Sequence, residues 1–222
     1  MEALSEILQP YKDVVGLVAS VLTIGQFFSG VLICKEIYDA KSTQGKSAMP
    51  FIGGTVLGII MLQYSLILDD INMLRVNIAG ILLNIFYMTC FYLYCENKKK
   101  DVIKPLLIGL GIATAVYFYI KIEDPQLIEY RLGLFVTIAL MGLIASPLFN
   151  VAEIIKKRNA ETMPMPIIFS GTVVTIMWTL YGIILKNEFM LFQNMIGIVL
   201  SALQILLYIF FRGGVKEDKK KE

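Results

Sequence analysis

The stretches GTVLGIIMLQYSLILDDINMLRVNIAGI, residues 54–81, and GTVVTIMWTLYGIILKNEFMLFQNMIGI, residues 171–198, are one pattern written twice. At an offset of 117, Gly54-Thr55-Val56 meets Gly171-Thr172-Val173, Tyr64 meets Tyr181 and Leu74 meets Leu191. Asn77 then meets Asn194, and Gly80-Ile81 meets Gly197-Ile198, without a gap. Upstream the same register pairs Gly16-Leu17 with Gly133-Leu134, Gly25 with Gly142 and Ser29 with Ser146. Leucine and isoleucine matches are cheap in an apolar chain. Glycine, tyrosine and asparagine falling together are not, so the duplication is real.

The solvent around the repeats follows from composition. Of 222 residues, 57% are hydrophobic and 17% charged, with a mean hydropathy of +0.70. Soluble domains run at about 45–50% apolar and about 25% charged. Here the charges also cluster between long stretches that have none, so the bilayer is the expected solvent. A net charge of +2 spread as punctuation provides no basic face for phosphates, and no nucleic-acid partner is expected. Without histidine, and with only Cys34, Cys90 and Cys95, the chain offers no metal-ligand spacing and no disulfide framework. No cofactor and no metal is implied. Glu2 and Glu6 precede the first apolar run, which therefore lacks the basic start of a cleaved signal peptide and reads as a retained span.

About 30 Å of hydrocarbon takes roughly 20 helical residues. Six charge-free windows come near that length: 14–34, 47–68, 76–95, 132–152, 162–185 and 189–211. A seventh, 105–120, is shorter, but Lys104 and Lys121 at its ends have stems long enough to snorkel. Each repeat then holds three helices. Two such units joined directly would face opposite ways, and the extra helix restores a common orientation. The predicted fold is an all-α membrane protein with seven transmembrane helices, two parallel three-helix repeats joined by a linker helix, 3+1+3. Its parts are a first bundle over 1–100, the linker helix over 101–123, a second bundle over 124–211 and a charged tail over 212–222. Lysine and arginine divide fifteen to five between alternate connecting segments. This predicts an outside or lumenal N-terminus and a cytosolic C-terminus.

Parallel repeats about an axis along the membrane normal are a transporter plan, with substrate near the midplane at the repeat interface. Asn77, Gly80 and Asn84 share one helix face, and their counterparts are Asn194, Gly197 and Ser201. A primary amide offers two donors and an acceptor, so a symmetric asparagine pair suits a neutral polyhydroxylated molecule; asparagine can equally glue helices together. Trp178, the sole tryptophan, sits inside the sixth window. An indole stacks on the C–H face of a sugar ring as readily as it fills a core. Its counterpart is Met61, which fills gaps without offering a flat ring. Pro147 lies inside the fifth helix, whereas Pro50, Pro164 and Pro166 begin the second and sixth. A proline is either a hinge or simply at home in a first turn. Tyr64 and Tyr181 gate or pack. No acidic or basic residue lies inside the six long windows, which removes the usual parts of a proton relay and of a catalytic network. No nucleotide-binding loop is present either, so the chain is not expected to be an enzyme or a pump.

Ser146-Pro147 leading to Met163-Pro164-Met165-Pro166, then Met177-Trp178-Thr179-Leu180-Tyr181-Gly182 and Gln193-Asn194-Met195-Ile196-Gly197, resembles the SWEET sugar facilitators of the saliva type. Met49-Pro50-Phe51 and Val76-Asn77 resemble them in the first half, and the likeness runs from about Val14 to Phe211. The resemblance implies a passive, bidirectional uniporter of mono- or disaccharides working by alternating access. It implies a sugar pocket at Asn77, Asn194 and Trp178, with Met61 in place of the first tryptophan and smaller positions near Thr23, Gln26, Leu57 and Val174. It maps hinge prolines to Pro50, Pro147 and Pro166, with Gly30 standing where a first-helix proline often is. Tyr64 resembles an outer-gate tyrosine whose acidic partner falls at Asn187, beside Glu188. Self-association into a homo-oligomer is a further implication.

The expected partners are thus a small neutral sugar and membrane lipid, in the plasma membrane or the Golgi. Rival readings are a PQ-loop-type carrier of another small solute, a seven-helix receptor, and a non-transporting scaffold. The internal repeat and the short connecting loops speak against the receptor.

Overall fold

The structure is a computed structural model that describes residues 2–160 and 163–212, without the side chains of 143–150 and 153. Its regular elements are all helical among the described residues. In chain order they are α1 (Glu2–Leu8), α2 (Lys12–Phe27), α3 (Gly30–Ala40), α4 (Met49–Ile67) and α5 (Ile71–Tyr94), then α6 (Lys104–Ile122), α7 (Pro125–Lys157), α8 (Met165–Leu185) and α9 (Glu188–Phe211). A 3-10 turn, Gln9–Tyr11, joins α1 to α2, and a π turn, Lys99–Ile103, leads into α6.

Six segments are long and apolar enough to cross a bilayer: Glu2–Ala40, Met49–Ile67, Ile71–Tyr94, Lys99–Ile122, Met165–Leu185 and Glu188–Phe211. α7, at 33 residues, is the other long helix. The predicted linker helix is longer than its charge-free window, because the π turn carries helical winding back through the lysines to Lys99. Large apolar side chains cover the outer faces, with Phe210 75% and Val199 65% exposed. Such faces are stable only against hydrocarbon, and the chain is an integral membrane protein.

Local chemistry sets the helix ends, and it repeats. Pro50 stands in the first turn of α4 and Pro166 in that of α8, where a missing N–H costs nothing. After α4, Asp69 takes a positive φ of 50°; after α8, Lys186 takes 53°. Asp70 N then donates to Ser65 O, and Asn187 N to Gly182 O, each at 3.0 Å. Asp70 caps α5 by accepting from Met73 N, and Asn187 caps α9 by accepting from Met190 N, each at 2.8 Å. The prolines slip by one residue, but every pair in the turns and caps is offset by the 117 positions of the sequence repeat, so the duplication extends to the hydrogen bonds of the turns.

Two compact units gather these elements, one spanning 20–136 and the other 1–19 with 137–222. In the first, α5 packs on α4 and α3, and α6 on α4, around a core of Ile37, Phe51, Ile52, Tyr87 and Phe91. In the second, α8 pairs with α9, and α1 leans on α8. There Ser5 Oγ donates to Ile184 O at 3.1 Å.

The first of the predicted spans is not one smooth helix. Winding breaks between Phe27 and Gly30, where Val31 N donates to Phe28 O at 3.0 Å and Leu32 N to Ser29 O at 3.2 Å. These are bonds three residues back in place of four, and Phe27 O instead accepts the Tyr87 hydroxyl at 3.0 Å.

Candidate functional site

Within the unit of 20–136, the predicted residues come from three membrane helices. Thr23 and Gln26 stand on α2, Leu57, Met61 and Tyr64 on α4, and Asn77 on α5, with Gly30 at the start of α3 and Pro50 at the start of α4. All but Gly30, Pro50 and Tyr64 are half-buried. Asn77 Nδ2 donates to Met73 O at 2.8 Å and to Ser65 Oγ at 3.1 Å. Ser65 Oγ in turn donates to Met61 O at 2.7 Å. Both amide hydrogens of Asn77 are thus spent on fixing the side chain against α4, which leaves its carbonyl oxygen as the polar face on offer.

Within the other unit, Asn194 stands on α9, Trp178, Val174, Tyr181 and Pro166 on α8, and Pro147 on α7. The side chain of Pro147 lies outside the described residues. Asn194 Nδ2 donates to Met190 O at 2.8 Å, the same local bond as at Asn77. Ser65 has Gly182 as its counterpart, so the second bond has no equivalent. One N–H and the carbonyl of Asn194 are left with no described partner, and this amide is both donor and acceptor. Next to it, Gln193 Nε2 donates to Thr137 Oγ1 at 2.6 Å and ties α9 to α7. Trp178 packs edge-on against Tyr181, centroids 5.7 Å apart and planes at 75°. Tyr181 is fully buried and Trp178 half-buried, so the buried phenol supports the indole.

Close approaches complete the picture. Gly197 lets α9 meet Thr175 of α8, whose Cγ2 would sit 2.9 Å from a Cβ there. Gly80 does the same for α5, with the Phe27 ring 3.0 Å away. Asn84 Nδ2 donates to Gly80 O at 2.8 Å and lies 2.7 Å from where a Cβ of Gly54 would stand. Asn187, the predicted latch position, serves as the cap of α9 and is buried. Among the described residues no group of three His, Cys, Asp or Glu side chains could hold a metal ion.

Two participants escape a reading of the sequence. Ser65, the partner of Asn77, shows no signal, since an apolar helix tolerates a serine anywhere. Tyr87 does carry one: it follows Asn77, Gly80 and Asn84 at the i+10 position of the same face.

Membrane helices in two like halves, each with an uncharged amide on the same turn of its last helix, define a repeat-built carrier. The comparisons with known proteins agree. The sequence pattern of the family described as "Sugar efflux transporter for intercellular exchange" matches residues 13–99 and again 130–215, two copies in the register of the repeat. The chain belongs to that family, the SWEET transporters. It is 30% identical to the sugar transporter SWEET1 of Drosophila pseudoobscura pseudoobscura over 195 residues, 87% of this chain and 86% of that protein. It is 26% identical to the bidirectional sugar transporter N3 of Medicago truncatula over 212 residues, 93% of this chain and 79% of that one. A solved eukaryotic SWEET transporter superposes with a TM-score of 0.82 at 24% identity, covering 94% of this chain and all of the other. That likeness carries the fold alone. Family membership sets aside the seven-helix receptor and makes the chain a transporter and not an enzyme.

Proposed function

We propose that this chain is a passive, bidirectional uniporter that moves neutral mono- or disaccharides down their gradient by alternating access. The observation that carries the reading is the pair Asn77 and Asn194. They occupy equivalent turns of α5 and α9, each holds a fixed amide by the same bond to the carbonyl four residues back, and no ionised side chain lies within the windows that contain them. Uncharged amides recognise hydroxyls and leave no site for a coupling proton or ion. The names of the relatives, sugar transporters throughout, point to the same substrate class.

In this account Asn77, Asn194 and Trp178 hold the sugar, with Met61, Thr23, Gln26, Leu57 and Val174 shaping the space. Bundles 1–100 and 124–211 rock about Pro50, Pro147, Pro166 and the break at Gly30, joined by the linker 101–123, while Tyr64 and Tyr181 close the outer side. The N-terminus faces outside or into the lumen and the C-terminus the cytosol, in the plasma membrane or Golgi, with lipid contacts along the outer faces and self-association into an oligomer.

The test is entry of labelled glucose and of a disaccharide into liposomes holding the purified protein, alongside Asn194→Ala. Saturable entry of one of the sugars is expected, with Vmax/KM lower in the variant by about tenfold or more, the loss of one or two sugar hydrogen bonds. No entry of either sugar by folded protein overturns the reading and leaves the asparagines as helix glue.

A further inference from the structure

The two halves differ where α5 and α9 run towards their C-terminal ends. In the unit of 20–136 this region is filled. Ile37, Phe51 and Tyr87 form the core with Leu83 packed against them, and the Phe51 and Tyr87 rings lie 5.6 Å apart. Asn84 closes on Gly54 and Tyr87 on Gly30. At the equivalent positions of the other half stand Ile168 for Phe51, Ser201 for Asn84 and Gln204 for Tyr87. Every one of these is smaller, and the space they leave is a cavity of about 720 Å³. Small-molecule sites typically measure about 300–1,000 Å³.

The lining has a polar side. Gly197, Ser201 and Gln204 continue the face of α9 that begins at Asn194, and Thr175 faces them from α8. Ser201 and Gln204 make no hydrogen bond to another described residue, although both lie on a membrane-spanning helix and are half-buried. A polar side chain held there without a partner is costly unless water or a ligand serves it. Thr175 Oγ1 donates to backbone at Thr172 O, 2.9 Å, and keeps lone pairs for accepting. Lys157 and Asn159 also line it.

We propose that this cavity is a second sugar subsite, in which Gln204 and Ser201 of the C-terminal half hold hydroxyls of the substrate between the pocket at Asn194 and the cytosol. The proposal rests on the sugar-uniporter reading and on its orientation. Gln204 lies ten residues beyond Asn194, about 15 Å along the helix, so a monosaccharide at one position leaves the other free. The amide and the two hydroxyls supply donors and acceptors without charge, the complement of a neutral polyol. Lys157 is the one cation among the described lining residues and alone would favour an anionic lipid headgroup, against the uncharged groups of Gln204, Ser201 and Thr175.

A subsite on one side affects the two directions of transport unequally. The experiment measures KM for labelled glucose entering and leaving phosphatidylcholine liposomes in which the protein has a single orientation, for the wild type, Gln204→Leu and Ser201→Ala. The expected result is a rise of about three- to tenfold in the ratio of KM on the cytosolic side to KM on the outer side, the loss of one hydrogen bond. Vmax/KM must stay equal in the two directions, as it does for any passive carrier. If Gln204→Leu fails to reach the membrane, Ser201→Ala decides. An unchanged ratio in a transporting variant, or an equal rise on both sides, overturns the subsite and leaves the uniporter standing. A shift that appears only when phosphatidylglycerol is added assigns the cavity to a lipid headgroup and also overturns it. Wild-type protein that moves no glucose removes the uniporter reading and the subsite together.

Discussion

Gly30 is where a side chain's absence does the most. A Cβ there would stand 2.7 Å from Cδ2 of Tyr87, a residue that is 3% exposed, packs its ring at a tilt against Phe51 and donates its hydroxyl to Phe27 O. The sequence marks Gly30 only as a place where a proline could have stood. The helix breaks there all the same, because a ring from α5 occupies the space and a phenol caps the released carbonyl, two features that no local pattern reveals. Gly30→Ala is expected to destabilise the protein by about 1–3 kcal/mol through overpacking, against a gain in helix propensity of at most about 1 kcal/mol. Tyr87→Phe keeps the ring and loses the bond, costing about 0.5–1.5 kcal/mol. Thermal unfolding in detergent reads both, and a Gly30→Ala protein as stable as the wild type would contradict the account of the break. The asparagines were legible as residues; their different amide balance was not, since it depends on Ser65 facing Asn77 where Gly182 stands in the other half.

Helices as elements were legible wherever charge-free length was the signal. Their interruptions were not, because a membrane helix is apolar all round and its periodicity says little about faces or breaks. The turns are a different case. Asp70 and Asn187 are short polar side chains of the kind that caps helices, and both do so, Asn187 at the position where the resemblance placed a gate latch. Alanine at Asp70 or Asn187 is expected to cost about 1 kcal/mol, read as a lower melting temperature. Between α6 and α7, Glu123 accepts from the Tyr119 hydroxyl, from Asp124 N at 2.9 Å and from Arg131, with which it forms an ion pair. The Tyr119 hydroxyl and these further donors hold the Glu123 carboxyl below its ordinary value of 4.5. A carboxylate with a lowered folded pKa contributes stability that is fully present above its unfolded value and lost as pH falls through the folded one. Stability is therefore expected to decline below about pH 4.5, and Glu123→Gln to show a smaller decline over that range. An identical acid profile in the variant would show that the cluster contributes nothing.

For the molecule as a whole, duplication is the deepest feature and the most legible one. The 117-residue register reappears in the turns, in the caps and in the two matches to the family. The departures from symmetry were less visible. Met61 against Trp178 can be read from the chain, whereas the contrast between Tyr87 packed into a core and Gln204 lining a cavity emerges only when each is seen among its neighbours. The central claim is passive carriage of a neutral sugar, and exchange across a sealed membrane tests it most directly. Liposomes loaded with unlabelled glucose are placed in trace labelled glucose, with and without an imposed pH gradient. The account predicts a transient overshoot of label inside, the mark of a carrier that alternates, followed by decay to equal concentrations whichever way the proton gradient points. Sustained accumulation that follows the gradient would contradict it.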